Sequence, residues 1–158
     1  MKLRIEGKGT VVIRSSAVIV AEGHVLLHRH VSDEFWSLIG GGVEFTETSS
    51  DAIIRETQEE LGAVCSVDRL LWIVESFFGP PINRWHEVGF YYLLKLDDPA
   101  LIPSASLTPN GKEDDLLFRW FPVEEIRDLA IYPVFLRAAL LDLPGCVEHV
   151  VNNEIDGS

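Results

Sequence analysis

The chain has 158 residues, 47% of them apolar and 24% charged, which suits one domain with its own hydrophobic core. Twenty-five acids against 13 lysines and arginines give a formal net charge of -12. That surplus repels long polyanions and anionic lipid, so it argues against a nucleic-acid polymer or a membrane surface as partner, but not against a small phosphate compound bridged by a divalent cation.

No repeat or low-complexity segment divides the chain, and residues 1–158 are expected to form a single domain. In chain order, Thr10–Ile13 and Ser16–Val20 have the β-branched character of strands, and Ala21-Glu22-Gly23-His24 is a hairpin turn leading into Val25–His28. A triple glycine, Gly40-Gly41-Gly42, follows Trp36–Ile39. A helix is expected from Ser49 to Leu61, with Thr48 as its cap and Gly62 in the left-handed position that ends it. Ser66–Ser76 and Glu87–Leu96 are strand candidates separated by the Gly79-Pro80-Pro81 turn. A polar loop covers 100–111, a short strand covers Leu117–Phe121, and a short acidic helix covers Val123–Leu129. A last helix is expected from Tyr132-Pro133 through Leu141. Strands interleaved with helices imply an α/β protein, a mixed sheet with helices on its faces.

Cys65 and Cys146 have no partner at metal-ligand spacing and are expected to be free thiols in a reducing compartment. The N-terminal residues lack the apolar run of a signal peptide, and the longest apolar stretches are too short to cross a bilayer, so a cytoplasmic location is expected.

The segment from Gly41 to Ala63 carries the chemistry. At 100° per residue, Glu56, Glu59 and Glu60 stand at i, i+3 and i+4 and share one helical face, while Ile53, Thr57 and Leu61 form a second stripe able to pack on a sheet. Like charges at this spacing repel by a few tenths of a kcal/mol per pair, a penalty that a hard divalent cation removes. No Cys or His stands at zinc spacing. The same spacing also describes a solvated acidic helix face. Two features go beyond that simpler description. Glycines precede the helix and permit close backbone approach, and Glu47 and Arg55 answer no amphipathic need. Arg55 is placed to hold Glu47 or one of the helix carboxylates.

These residues resemble the Nudix box, Gly-x5-Glu-x7-Arg-Glu-U-x-Glu-Glu-x-Gly-U with U aliphatic. Gly41, Glu47, Arg55, Glu56, Glu59, Glu60 and Gly62 occupy its fixed positions. The chain departs at both U positions, with Thr57 and Ala63, and has Ile39 where many members have proline and Thr46 where many have glycine. Val25–Arg29 with Trp36–Leu38, and Arg119–Ile126, resemble the usual flanks of the box. The resemblance implies an α/β/α sandwich around a mixed sheet. It also implies hydrolysis of a nucleoside diphosphate linked to another group, such as a nucleoside triphosphate, ADP-ribose or a nucleotide sugar. The implied cofactor is Mg²⁺, with Mn²⁺ as a substitute. Glu56, Glu59 and Glu60 would be its ligands, with the Gly41 carbonyl and Glu44 or Glu47 as additional ones. The box does not fix the catalytic base, for which Glu59, Glu56 and the later loop acids Glu113, Asp114 and Asp115 are the candidates, with Arg55 completing the catalytic set. Homodimers are common among such relatives.

Arg29, Glu44 and Glu87 are the candidates for substrate contact. Arg29 is equally well an exposed strand-end charge, Glu87 an edge-strand carboxylate, and Glu113 part of a solvated turn. Arg84 and Trp85 suit phosphate and base, or simply a loop-tip cation and a half-buried ring. Phe77, Phe78 and Trp36 fit core or interface, and His24, His28 and His30 fit the surface of a hairpin. A Nudix domain that senses a nucleotide without cleaving it is the alternative function. An isoprenoid diphosphate isomerase would need Cys and Glu motifs that have no counterpart around Cys65 or Cys146, and a calcium-loop protein would need an EF-hand spacing that does not occur.

Overall fold

Period-two alternation gives the sheet two apolar faces. A computed structural model describes residues 1–101, 108–109 and 115–155. In β2 (Gly9–Ala21), Ala17 and Ile19 enter one core while Val18 enters the other. In β3 (His24–His30), Leu26 joins the first and Val25 and Leu27 the second. The first core is closed by Ile53 and Leu61 of helix α1 (Ser49–Leu61). The second is closed by Ile126 of a 3-10 turn (Val123–Asp128) and by Leu136 and Leu140 at the short helix α2 (Leu136–Ala139). The result is the expected α/β/α layering around a mixed sheet.

The remaining strands are β1 (Lys2–Ile5), β4 (Ile39–Gly42), β5 (Cys65–Phe78), β6 (Arg84–Leu96), β7 (Thr108–Pro109), β8 (Leu116–Pro122) and β9 (Glu148–Asn153). Their order is β7-β8-β3-β2-β6-β5-β9, with β1 and β4 also paired to β2. The pairs β2–β6 and β5–β9 are parallel and the others antiparallel. Long β2 organises the molecule. One of its edges lies along β6, and the other passes from β1 to β4 and then to β3. Glu22 (φ 48°) and Gly23 (φ 74°) form the two-residue turn between β2 and β3, both in the left-handed region that such tight hairpins require.

Helix α1 has the expected bounds. Thr48 accepts from the Asp51 N–H at 3.1 Å, and Gly62 (φ 69°) donates to the Gln58 carbonyl at 3.0 Å. The Ser15 hydroxyl donates to the Ser49 carbonyl at 2.7 Å, tying the first turn of α1 to the sheet. Cys65 and Cys146 are free thiols. Among the described residues no helix is long and apolar enough to cross a membrane.

Several expectations need correction. Thr10–Ile13 and Ser16–Val20 are one strand, because Arg14 and Ser15 stay in register with β4 and β6. The last helix shrinks from 132–141 to Leu136–Ala139, since Leu136, Arg137 and Ala138 bond three residues back rather than four, as in a 3-10 turn. The acidic helix at 123–129 is likewise a 3-10 turn over Val123–Asp128. His28 is not on the surface: it is buried, with its ring centroid 5.7 Å from that of Phe118.

Candidate active site

The acids gather where β4 runs into α1. Gly41 pairs with Ser15, which puts it on the α1 face of the sheet, directly under Glu56. A Cβ at Gly41 would lie 2.3 Å from the Glu56 carboxyl carbon, so glycine here leaves the Glu56 carboxylate its present position and any side chain would push it aside. Thr46, in the connecting loop, adopts φ 68°, a left-handed conformation that strains a β-branched residue and explains why glycine suits this position.

Arg55 is the hub. Its Nε and Nη2 donate to the two carboxylate oxygens of Glu47 at 2.9 Å each, and Nη2 also donates to the Gly42 carbonyl at 3.2 Å. Nη1 donates to Glu56 at 2.8 Å and to Glu59 at 3.4 Å. Glu47 also accepts from the Glu44 N–H at 2.9 Å. The guanidinium, helped by that N–H, holds the Glu47 carboxyl down at about pKa 2. Reciprocally, Glu47 pushes the Arg55 guanidinium further up. Burial pushes the Glu56 carboxyl up, against the pull of Arg55. Glu59 is half exposed. Glu60 turns towards β3, where His28 Nδ1 stands 3.1 Å from Oε2, an oxygen that is buried and receives no hydrogen bond.

Among the described residues no three Asp, Glu, His or Cys side chains converge as a metal-binding group, because Arg55 stands between Glu56 and Glu59 while Glu60 faces His28. The chemistry of the donors still fits a hard divalent cation: three carboxylates on one helix, with Gly41 beneath Glu56 and one buried carboxylate oxygen lacking a donor.

The opposite face of the sheet is hollowed. A cavity of about 500 Å³ opens there, with Arg14 and Ser16 of β2 and Glu87 and Tyr91 of β6 on its floor. Phe35 and Tyr132, with ring centroids 5.3 Å apart, line its wall, as does Phe78. A second cavity of about 460 Å³ shares Arg14, Phe78 and Glu87 and reaches Gly42. In register, Arg14 lies between Gly42 and Gly89, two residues without side chains, so the guanidinium crosses a bare stretch of sheet and donates to the Gly40 carbonyl at 2.9 Å. The sheet lies between this cleft and the acids of α1, and Gly42 at the end of β4 lines the second cavity.

Of the expected substrate contacts, Glu87 lines the cleft. Arg29 does not: its guanidinium covers the Trp36 ring at 5.1 Å and donates to the Asp33 carbonyl at 2.9 Å. Glu44 is exposed in the loop before α1. Glu113 and Asp114 lie outside the described residues. Phe78, expected in the core or an interface, lines the cleft and stacks on Trp85 at 5.9 Å, over which Lys2 Nζ sits at 4.4 Å. Sequence reasoning missed Arg14, Phe35, Tyr132 and Asn152. The available signal was the polar triplet Arg14-Ser15-Ser16 inside an otherwise apolar strand.

A NUDIX domain model matches residues 12–139, and the chain belongs to the Nudix hydrolase family. Members of this family act on nucleoside diphosphate derivatives and generally use a divalent metal. The m7GpppN-mRNA hydrolase NUDT17 of Danio rerio is 37% identical over 86 residues, which cover 49% of this chain and 29% of that protein, so the match spans less than a third of the relative. A NUDIX hydrolase structure from Nitrosomonas europaea aligns with TM-score 0.66 at 20% identity, covering 96% of this chain and 82% of the other. A MutT protein from Bacillus halodurans aligns with TM-score 0.68 at 16% identity, covering 92% of each chain. At these identities the two structures bear on the fold alone.

Proposed function

We propose that this chain is a Mg²⁺-dependent hydrolase that cleaves the diphosphate linkage of a nucleoside diphosphate joined to another group, with Mn²⁺ able to substitute. The observation that carries this reading is the Arg55 hub, which gathers Glu47, Glu56 and Glu59 at the β4–α1 junction over a glycine that gives Glu56 its room. Glu56, Glu59, Glu60 and the Gly41 carbonyl are the groups that would hold the ion. The chemistry such an ion supplies is neutralisation of diphosphate charge and a lowered pKa for the attacking water.

The chain's own residues do the rest. Glu59, half exposed and held by a single 3.4 Å bond, is the carboxylate freest to accept the water's proton. Glu56 is fixed between Gly41 and Arg55 and serves as a ligand. Arg55 keeps these carboxylates aligned and makes a poor proton donor, since its guanidinium stays charged. The cleft is the site assigned to the nucleoside end, and Arg14, which lines both cavities, is the cation available there to a phosphate.

A panel of a nucleoside triphosphate, ADP-ribose, a nucleotide sugar and a dinucleoside polyphosphate, incubated with Mg²⁺ and analysed for phosphate-bearing products, tests the reading. Metal-dependent cleavage of at least one at its diphosphate linkage supports it. No turnover across the panel with Mg²⁺ or Mn²⁺, alongside tight nucleotide binding, would make the domain a sensor.

A further inference from the structure

Two carboxylates that the hydrolytic reading does not use line the cleft: Glu154, which accepts from the Asn152 amide at 3.0 Å, and Glu87. The latter points from β6 into the cavity, and register places it in a row with Ser76 of β5 and Asn152 of β9, both of which also line the cavity. Among the described residues no donor hydrogen-bonds or ion-pairs with the Glu87 carboxylate. The neighbouring Ser76 hydroxyl is buried and equally without a partner. Burial pushes the Glu87 carboxyl up, with Arg14 the charge that opposes the shift. A half-buried carboxylate without a hydrogen-bond partner is expensive to keep, and it opens onto the cavity. The Phe35, Tyr132 and Phe78 rings suit a flat aromatic guest.

An ionised carboxylate offers two acceptors and no donor. Its best partner is an edge with two adjacent N–H groups. Adenine and cytosine set an amino group beside a ring acceptor, and uracil sets one N–H between two carbonyls. Guanine alone among the common bases offers neighbouring N1–H and N2–H groups. We propose that Glu87 is a specificity-determining residue that selects a guanine-type base in the cleft by pairing with those two donors. The proposal rests on the hydrolase reading only in assigning the nucleoside end of the substrate to this cavity.

Binding of GMP, IMP and AMP to the whole chain, measured by calorimetry with Mg²⁺ present, tests it without any turnover, because monophosphates contain no anhydride to cleave. IMP differs from GMP only in lacking the 2-amino group. The wild type should bind GMP about tenfold or more tightly than IMP and AMP, the discrimination a bidentate base contact supplies. Glu87→Gln should bring the three within about threefold, and Glu87→Asp, which keeps the charge but withdraws it, should do likewise. Circular dichroism melting shows which of the two variants is folded and therefore counts. Failure of the wild type to favour GMP over IMP, or a preference that survives in a folded variant, would overturn the proposal. A guanine preference without cleavage in the substrate panel would break the hydrolase reading instead, and cleavage with no preference would break only the role of Glu87.

Discussion

Arg55 and Glu47, eight residues apart, are joined by two parallel hydrogen bonds of 2.9 Å each. The pair ties Glu47, just before α1, to the middle of the helix, and the bond from Arg55 to the Gly42 carbonyl links that helix to the end of β4 across the loop of Glu44, Phe45 and Thr46. The remaining guanidinium nitrogen is then aimed at Glu56 and Glu59. Arg55 is therefore a positioning residue. Arg55→Lys loses the planar fork and keeps the charge, and turnover is expected to fall about 10–100-fold, the range seen when groups supporting a metal site are altered. Steady-state kinetics should show the loss with an increased Mg²⁺ requirement; an unchanged Mg²⁺ dependence would contradict the positioning role.

The same pair has a signature in pH. The Glu47 carboxyl titrates near 2 in the folded chain against 4.5 ordinarily, so its contribution to stability is complete above pH 4.5 and is lost as pH falls towards 2. Glu47→Gln should therefore melt below the wild type at pH 7, and the gap should close between pH 5 and pH 2. A gap independent of pH would mean that Glu47 contributes by packing rather than charge.

Gly41 lies under Glu56 with no room for a methyl group. Gly41→Ala must push the carboxylate aside, and a displacement on the order of 1 Å at a reacting centre costs about 100-fold in rate. Activity should drop by that much in a protein that still melts cooperatively. Wild-type activity in Gly41→Ala would show that the position of Glu56 is not needed.

Glu87 behaves oppositely to Glu47. Burial pushes its carboxyl up, so its charged form works against folding: whatever stability it contributes is present at low pH and is lost as pH rises through its folded value. Glu87→Gln should raise the melting temperature at pH 7.5 and leave it unchanged at pH 4. A lower melting temperature at pH 7.5 would point to a partner for the carboxylate inside the protein.

Thr46 at φ 68° is strained, a left-handed conformation costing roughly 1–2 kcal/mol for an L-residue, while glycine brings an entropic penalty of about 0.5–1 kcal/mol. Thr46→Gly should therefore stabilise by up to about 1.5 kcal/mol in urea denaturation. Destabilisation by more than that amount would mean the Thr46 side chain makes a contribution outweighing the strain.

What could be read in advance was local. Thr48, the apolar spacing of Ile53, Thr57 and Leu61, and Gly62 fix α1 within its own 15 residues, so its bounds and the shared face of Glu56, Glu59 and Glu60 follow from helical geometry alone. The cleft is assembled from distant strands. Asn152 reaches it because polar β9 pairs in parallel with β5, with Asn152 opposite Ser76, a long-range pairing that leaves no local trace. The single charge of Arg14 interrupts a strand pattern without revealing which strands flank it. His28 looked like a hairpin residue because only tertiary packing brings Phe118 and Glu60 over its ring. The last helix is shorter than the expected 132–141 because the segment after Pro133 winds into 3-10 bonds.

The central claim is that the acidic face of α1 holds the catalytic cation. Its most direct test is the Mg²⁺-dependent turnover of Glu59→Gln and Glu60→Gln, each checked for an unchanged fold by circular dichroism. Removing one carboxylate charge should lower turnover about 10²–10³-fold, the scale of losing one preorganised electrostatic group. Unchanged turnover in both folded variants would contradict the assignment of the site.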